Sequence, residues 1–390
     1  MVTTLLAFLA GLLLIGLALF DAFETIVVPR RVSRRLRLAR LFYLLTWGPY
    51  AAIARRVNGE ARRETFLSFY GPSSLLLLVG LWAMVLIVGF AMLQWAGGSV
   101  SNGADQPPDF ATDLYFSGTT FFTLGLGDVV PNSGATRLLA VVEAGIGFAF
   151  LALLIGYLPI VYQMFARRET NVALLDQRAG SPPSAAEFIR RNVHRGDATE
   201  LIGLLREGEL WVGDLLESHL SYPVLAYFRS QHENQSWVAA LAVMLDVSAY
   251  VLACGSSRAV RQAGFTFAVG RHAVGDLSNI FRLQPHPPPV DRLEPSARRR
   301  LWELASGSGL LAEPPAAATG RLAEIRAVYE PYLQALSEHL LMDLPPWVPA
   351  PGASDNWETT AWDFASPLAL LGPNTPFTRD EAGRTHQVRE

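Results

Sequence analysis

The chain has 390 residues, which at roughly 150 per domain suggests two or three units. Just over half of it (51%) is apolar and only 17% is charged, against roughly 25% charged in an ordinary soluble domain; that excludes a disordered or nucleic-acid-coating protein and points to a membrane. The net charge of −3 singles out no partner, and all 32 basic residues are arginine, which high-GC codon usage explains. The single cysteine, Cys254, excludes an internal disulfide or a thiolate cluster.

In chain order, the first apolar run covers about 2–28 and includes Asp21 and Glu24 near its end. Its start carries no basic residue and no small-residue cleavage site follows, so it reads as a first transmembrane helix (1–29) and not as a cleavable signal peptide. A basic interfacial segment (30–66) comes next, with ten arginines between Arg30 and Glu64. Within it, Leu41–Ala54 is too short to cross a bilayer and contains Gly48-Pro49, so it reads as a helix lying in the inner interface. The arginines there anchor and orient; Asp21 and Glu24, three apart on one helix face, are expected to pair with them. Thr65–Ala104 holds no Asp, Glu, Arg or His, and a second span is expected near 72–96. A third is expected near 136–166, ending at Arg167-Arg168. Residues 97–136 carry no arginine but four acids, Asp105, Asp109, Asp113 and Asp128. The arginine contrast puts 30–64 and everything after 167 on the cytoplasmic side, and the N-terminus and 97–136 outside. The four aspartates are expected to face outward and concentrate cations.

Between the second and third spans, Asp109–Pro131 reads DFATDLYFSGTTFFTLGLGDVVP. Ala111–Phe122 is too short to cross yet too apolar for a free loop, which suits a short helix that dips in and returns. The return limb, Thr123-Leu124-Gly125-Leu126-Gly127-Asp128, alternates glycine with larger residues, so successive carbonyls can point to one side. Extended backbone at membrane depth is tolerated only where protein buries it or water lines it, and rings of carbonyls can replace an ion's hydration shell.

Thr-Leu-Gly-Leu-Gly-Asp resembles the potassium-channel signature Thr-Val-Gly-Tyr-Gly-Asp, and residues 67–168 resemble the two-helix pore module of bacterial potassium channels: outer helix, pore helix, filter and inner helix. The resemblance implies that the carbonyls of Thr123, Leu124, Gly125 and Leu126, with the Thr123 hydroxyl, hold permeant K+ within a filter ending at Gly127 and Asp128. It implies that Asp128 braces the filter from behind, through Tyr115, and that Glu143 supports it by hydrogen bonding to Thr119 or Thr120. Gly147 matches the position of the family's hinge glycine, although close helix packing explains it equally well; Pro159 kinks the lower inner helix and shapes a gate or marks the bilayer edge. Leu126 stands where the family usually has tyrosine and Phe122 where a second threonine is usual, which weakens the case for strict potassium selectivity. One filter segment per chain implies a homotetramer with fourfold symmetry, in a bacterial plasma membrane.

From Thr170 onward the composition is ordinary. Ser184 with Glu187 and Asp197 with Glu200 are capping-box patterns, and Leu322, Ile325, Tyr329, Leu333, Leu336 and Leu340 recur at helical spacing, so residues 169–371 are expected to form an all-α cytoplasmic domain and 372–390 a flexible tail, with Trp357, Trp362 and Phe364 before it able to dock on the domain. Trp237–Cys254, with Asp246 in its middle, reads as a buried core helix in preference to a fourth span. Gly307–Ala312 follows a helical pattern and not a strand, so a dinucleotide fingerprint is rejected. The histidines, His219, His232 and His272 among them, show no metal-ligand spacing and read as surface residues. A cytoplasmic ligand pocket around 219–235 is weighed against simple capping and core hydrogen bonding. The fold class expected is an all-α membrane protein with three transmembrane helices and a re-entrant pore helix. The function expected is a homotetrameric potassium channel gated or assembled by its helical domain, with no enzymatic activity, no cofactor beyond permeant K+ and no nucleic-acid partner. The alternatives are a poorly selective cation channel and a non-conducting membrane sensor or scaffold.

Overall fold

A computed structural model of the protein describes residues 2–28, 37–98, 100–101, 109–193, 197–231, 234–254, 257–308 and 315–350. Asp105, His232, Gly309–Ala312 and everything from Pro351 on, including Trp357, Trp362, Phe364 and the tail, lie outside them. The elements are α1 (Val2–Ile26), α2 (Leu38–Ala54), α3 (Glu60–Ser68), α4 (Tyr70–Ala96), β1 (Val100–Ser101), α5 (Phe110–Phe121), β2 (Val130–Pro131), α6 (Gly134–Ala179), α7 (Ala185–Asn192), α8 (Thr199–Ser221), a 3₁₀ turn (Pro223–Tyr227), α9 (Trp237–Cys254), α10 (Ser257–Phe281), α11 (Pro295–Ser308) and α12 (Pro315–Leu340). The protein is all-α apart from the two-residue antiparallel pairing of β1 with β2. The chain divides into a first unit, Met1–Met164 with Leu220–Phe228, and a second, Phe165–His219 with Arg229–Glu390.

In the first unit, α1 packs along α4 where small residues allow close approach: a Cβ on Gly11 would lie 2.7 Å from the Gly89 carbonyl oxygen. Helices in a bilayer gain little from burying apolar surface against each other, so such close backbone packing is what holds them. Leu5, Leu6, Phe8, Leu9, Leu12 and Leu13 face outward on α1, as lipid contact requires. Asp21 is buried, and its Oδ2 takes two hydrogen bonds. Its carboxylate accepts from the Ala39 amide at 2.9 Å, capping the start of α2, and from Trp82 Nε1 at 2.8 Å. Arg37 Nε lies 3.7 Å from Asp21 and 3.8 Å from Glu24, and Arg37 donates to Thr25 at 2.9 Å. The acid pair and the basic segment therefore meet through Arg37. On α2, Leu41, Leu44, Leu45 and Ile53 are exposed while Trp47, Ala51 and Ala54 are buried, so the helix has one face packed and one apolar face uncovered in the single chain.

The second unit is built around α9, of whose residues all but Leu252 are buried. Among the described residues four helices are long and apolar enough to cross a membrane, but 94% of the α9 window is buried inside the chain, against 22%, 50% and 17% for those containing α1, α4 and α6. Asp246 explains how an apolar helix can carry a charge at its centre. Arg292 Nη2 donates to it at 2.6 Å and Tyr329 Oη at 2.6 Å, while Arg292 and Arg326 both reach Glu330, at 3.2 and 3.0 Å. Burial opposes the Arg292 charge, yet the Asp246 and Glu330 carboxylates outweigh it and hold the guanidinium above its ordinary range. Ser184 Oγ caps α7 by accepting from the Glu187 amide at 3.2 Å. The Leu322–Leu340 stripe faces the core of α12, which continues through Pro331.

Candidate functional site: a short helix and glycine-rich loop

α5 has 12 residues, about 18 Å at 1.5 Å each, too short for a ~30 Å hydrocarbon core. Asp109 begins it, accepting from the Thr112 amide at 2.8 Å. Its buried stripe, Asp113, Phe116, Ser117 and Phe121, follows three- and four-residue spacing. The helix ends by feeding its free carbonyls to the loop: Phe122 N donates to Gly118 O at 3.1 Å, Thr123 N to Thr120 O at 3.0 Å and Leu124 N to Thr119 O at 2.8 Å. Thr119 and Thr120 thus support the loop through backbone, and the carbonyl end of the helix dipole faces it.

Along the loop, φ is +57° at Thr123, +54° at Gly125 and +80° at Gly127. These left-handed positions alternate with Leu124 and Leu126, and a chain that alternates hand in this way turns successive carbonyls to the same side. Glycine adopts such a φ freely; threonine does so only at a cost, which marks Thr123 as a residue held in place by its surroundings. Phe122 through Asp128 are all exposed in the single chain, so nothing within it covers the loop. Behind the loop, Tyr115 Oη donates to Asp128 Oδ2 at 2.9 Å, and β1–β2 pairing ties the exit of the loop to the end of α4.

Two expected contacts are corrected. Glu143 on α6 is buried, but its hydrogen-bond partner is Ser117, not Thr119 or Thr120; the Ser117 hydroxyl also lies 2.8 Å from the Ile87 carbonyl of α4. Ser117 belongs to the buried stripe of α5, whereas Thr119 and Thr120 lie off it, Thr119 Oγ1 being turned back to Phe116 O at 2.9 Å. The four aspartates do not all face outward either. Asp113 is fully buried, whereas Asp109, which caps α5, and Asp128 are exposed.

α6 runs unbroken through Gly147 and Pro159. A Cβ on Gly147 would sit 2.0 Å from the Phe121 carbonyl oxygen, so the inner helix touches the backbone of α5 one residue before the loop begins. Residues 75–163 match the model of the ion-channel family, described as "Ion channel". The matched stretch runs from α4 through α5 and the loop into α6. Its resemblance to a potassium-channel-like pore module, seen first in Thr123–Asp128, is therefore shared by the whole helix–loop–helix unit. Over 195 residues the chain is 24% identical to "Uncharacterized membrane protein YdjJ" of Bacillus subtilis (strain 168), covering 49% of this chain and 55% of that one. The chain thus spans about half the length of this relative. No solved structure matches.

Among the described residues no group of three or more His, Cys, Asp or Glu side chains is placed to hold a metal. His219 is corrected from surface to core: it is buried, its ring 4.9 Å from that of Trp237 and its Nδ1 2.8 Å from Leu215 O, with Arg168 at 3.3 Å from Nε2. His272 does lie on the surface, 3.2 Å from Asp276. The sequence reading missed Ser117, although its i+4 relation to Phe121 was there to be seen. It read 219–235 as a pocket or a capping region, whereas Leu220–Phe228, from the end of α8 onward, belongs to the first unit.

Proposed function

We propose that the protein is a passive potassium channel, a homotetramer in which four Thr123–Gly127 loops surround a common axis. The alternation of left-handed residues at 123, 125 and 127, on a loop that the single chain leaves uncovered, is the observation that supports this reading. Four such loops would present rings of carbonyls from Thr123, Leu124, Gly125 and Leu126, and a ring needs fourfold closure to surround an ion. In this reading α1, α4 and α6 cross the membrane, the Asp128 end faces outward and the second unit is cytoplasmic, which the arginine distribution supports. K+ is the permeant substrate.

Leu126 favours a second reading, weak selectivity among monovalent cations, because it has no hydroxyl to hold the loop from the side. The test is flux from proteoliposomes. Potassium-loaded vesicles should discharge their gradient when a protonophore is added, and sodium-loaded vesicles should not. Equal rates for both ions would establish the weakly selective channel instead, and no flux of either would favour a non-conducting scaffold.

A further inference from the structure

The chain leaves the second unit at Leu220, contributes Leu220–Phe228 to the first, and returns at Arg229. Val224, Leu225, Ala226, Tyr227 and Phe228 are all buried there. The Tyr227 ring stacks on Tyr43 of α2 (5.4 Å between centroids, 8° between planes) and lies 4.9 Å from Trp47 and 5.2 Å from Tyr70 of α4. Phe228 sits over Gly71, where a Cβ would come within 2.7 Å of its ring. The same segment touches α6 twice: Tyr222 is 5.7 Å from Tyr157, and Phe228 meets Tyr162 edge-on at 6.0 Å.

Tyr157 and Tyr162 lie on either side of Pro159. A proline inside a helix has no amide hydrogen for the carbonyl four residues earlier, here Ile155, so α6 is weakest between the two contacts. One short segment therefore bridges the weak point of the inner helix and fixes both sides of it to α2 and α4. It continues directly from α8, and residues 229–236 lead from it to α9.

We propose that Leu220–Phe228 is a coupling strap, through which the conformation of the second unit sets the position of the inner helix around Pro159 and hence the rate of conduction. The strap rests on the channel reading above. Anything that shifts α8 or the segment leading into α9 must move the strap, and the strap cannot move without releasing Tyr157, Tyr162 or the Tyr227 aromatic contacts. Two arrangements of one packed element, each favoured by a different state of the second unit, are sufficient for gating.

The test uses the full-length protein in liposomes, with Cys254, the one native thiol, changed to serine. Tyr157→Cys and Tyr222→Cys are then introduced together, and a short reducible bis-methanethiosulfonate reagent joins them. Joining should change potassium flux by about 5- to 150-fold, the range of ordinary coupling between sites, and a reductant should restore it. Each single-cysteine variant should respond to neither treatment. Complete cross-linking, verified by mass, with unchanged flux would overturn the strap. Failure of the two thiols to be bridged at all would overturn the contact it depends on. Gly71→Ala provides a second route, since its methyl displaces Phe228; altered flux from an assembled tetramer supports the strap, and wild-type flux counts against it. Gly80→Ala, on the same helix with no atom of the chain within 4 Å of the added carbon, is the control. Absence of flux from the Cys254→Ser parent and the wild type alike would overturn the channel reading instead, which keeps the two failures distinct.

Discussion

At the scale of single residues, the loop at 123–128 depends on backbone hand more than on side-chain chemistry. Gly125 occupies φ +54° with open space around the position of a Cβ, so alanine there would be strained by conformation and not by a clash. Gly125→Ala should abolish potassium flux while leaving assembly by gel filtration intact; normal flux would remove this loop from the conduction path. Gly147 presents the opposite case. Its dihedrals are helical, but an added methyl would lie 2.0 Å from the Phe121 carbonyl, and overpacking of this kind typically costs about 1–3 kcal/mol. Gly147→Ala should lower the thermal midpoint of the purified protein and alter conduction, whereas Gly145→Ala, with no neighbour within 4 Å in the chain, should leave the midpoint unchanged. Equal midpoints for the two variants would contradict the packing role. Ser117 and Glu143 add a third lesson. A buried carboxyl finds its partner on the buried stripe of the neighbouring helix, and that stripe is set by three- and four-residue spacing.

At the scale of elements, the long apolar helices and the short α5 were legible because apolar length and the 3.6-residue period both leave strong marks on composition. Residues 2–28, 72–96 and 136–166 correspond to α1, α4 and the upper part of α6. The Thr-Leu-Gly-Leu-Gly-Asp loop was legible because its glycines have a conformational reason to be there. The lower end of α6 was not: charge returns at Arg167, yet the helix continues to Ala179, because a helix can exchange apolar for polar neighbours without changing its backbone. The strap was hidden for a related reason. Six residues from Tyr222 to Tyr227 carry no periodicity, and their partners, Tyr43, Trp47, Tyr70 and Tyr157, are distant in sequence. α9 carried both its signals in view, apolarity and a central acid, and the acid was the more informative. Breaking a buried ion pair by removing one partner costs about 3–5 kcal/mol. Asp246→Leu should therefore destabilise the second unit by about that much, measured as the loss of its melting transition in full-length protein, while Asp246→Asn, which keeps a hydrogen bond to Tyr329, should cost less. Equal stability of all three proteins would mean that the Arg292 network contributes nothing.

At the scale of the whole molecule, the second unit carries a built-in response to acid. Burial, with Arg168 nearby, holds the His219 imidazole well below its ordinary range, so the folded protein keeps it neutral while the unfolded chain protonates it near pH 6.5. A base with a depressed folded-state value contributes stability that is present above the unfolded value and is lost as pH falls below it. Stability should therefore decline between about pH 6.5 and pH 5, by at most about 1.4 kcal/mol per pH unit for one proton. His219→Gln should flatten the melting midpoint across that interval. A slope as steep in the variant as in the wild type would assign the effect to other groups. Glu330, pushed up chiefly by burial and then by Asp246, works in the opposite sense, since protonation on acidification relieves it.

The chain passes between its two units three times, after Met164, after His219 and after Phe228. A protein assembled by joining a finished pore to a finished regulator would need only one such crossing, and a single cut would part them cleanly. Here a cut after Met164 also takes away the residues that cover Tyr43, Trp47 and Tyr70, leaving an aromatic hollow open on what remains. The two halves are thus not interchangeable modules: a foreign regulator grafted behind α6 would have to bring its own plug for that hollow. Natural variants that exchange one half should be found only where both the joint in α6 and the loop of chain at 220–228 change together.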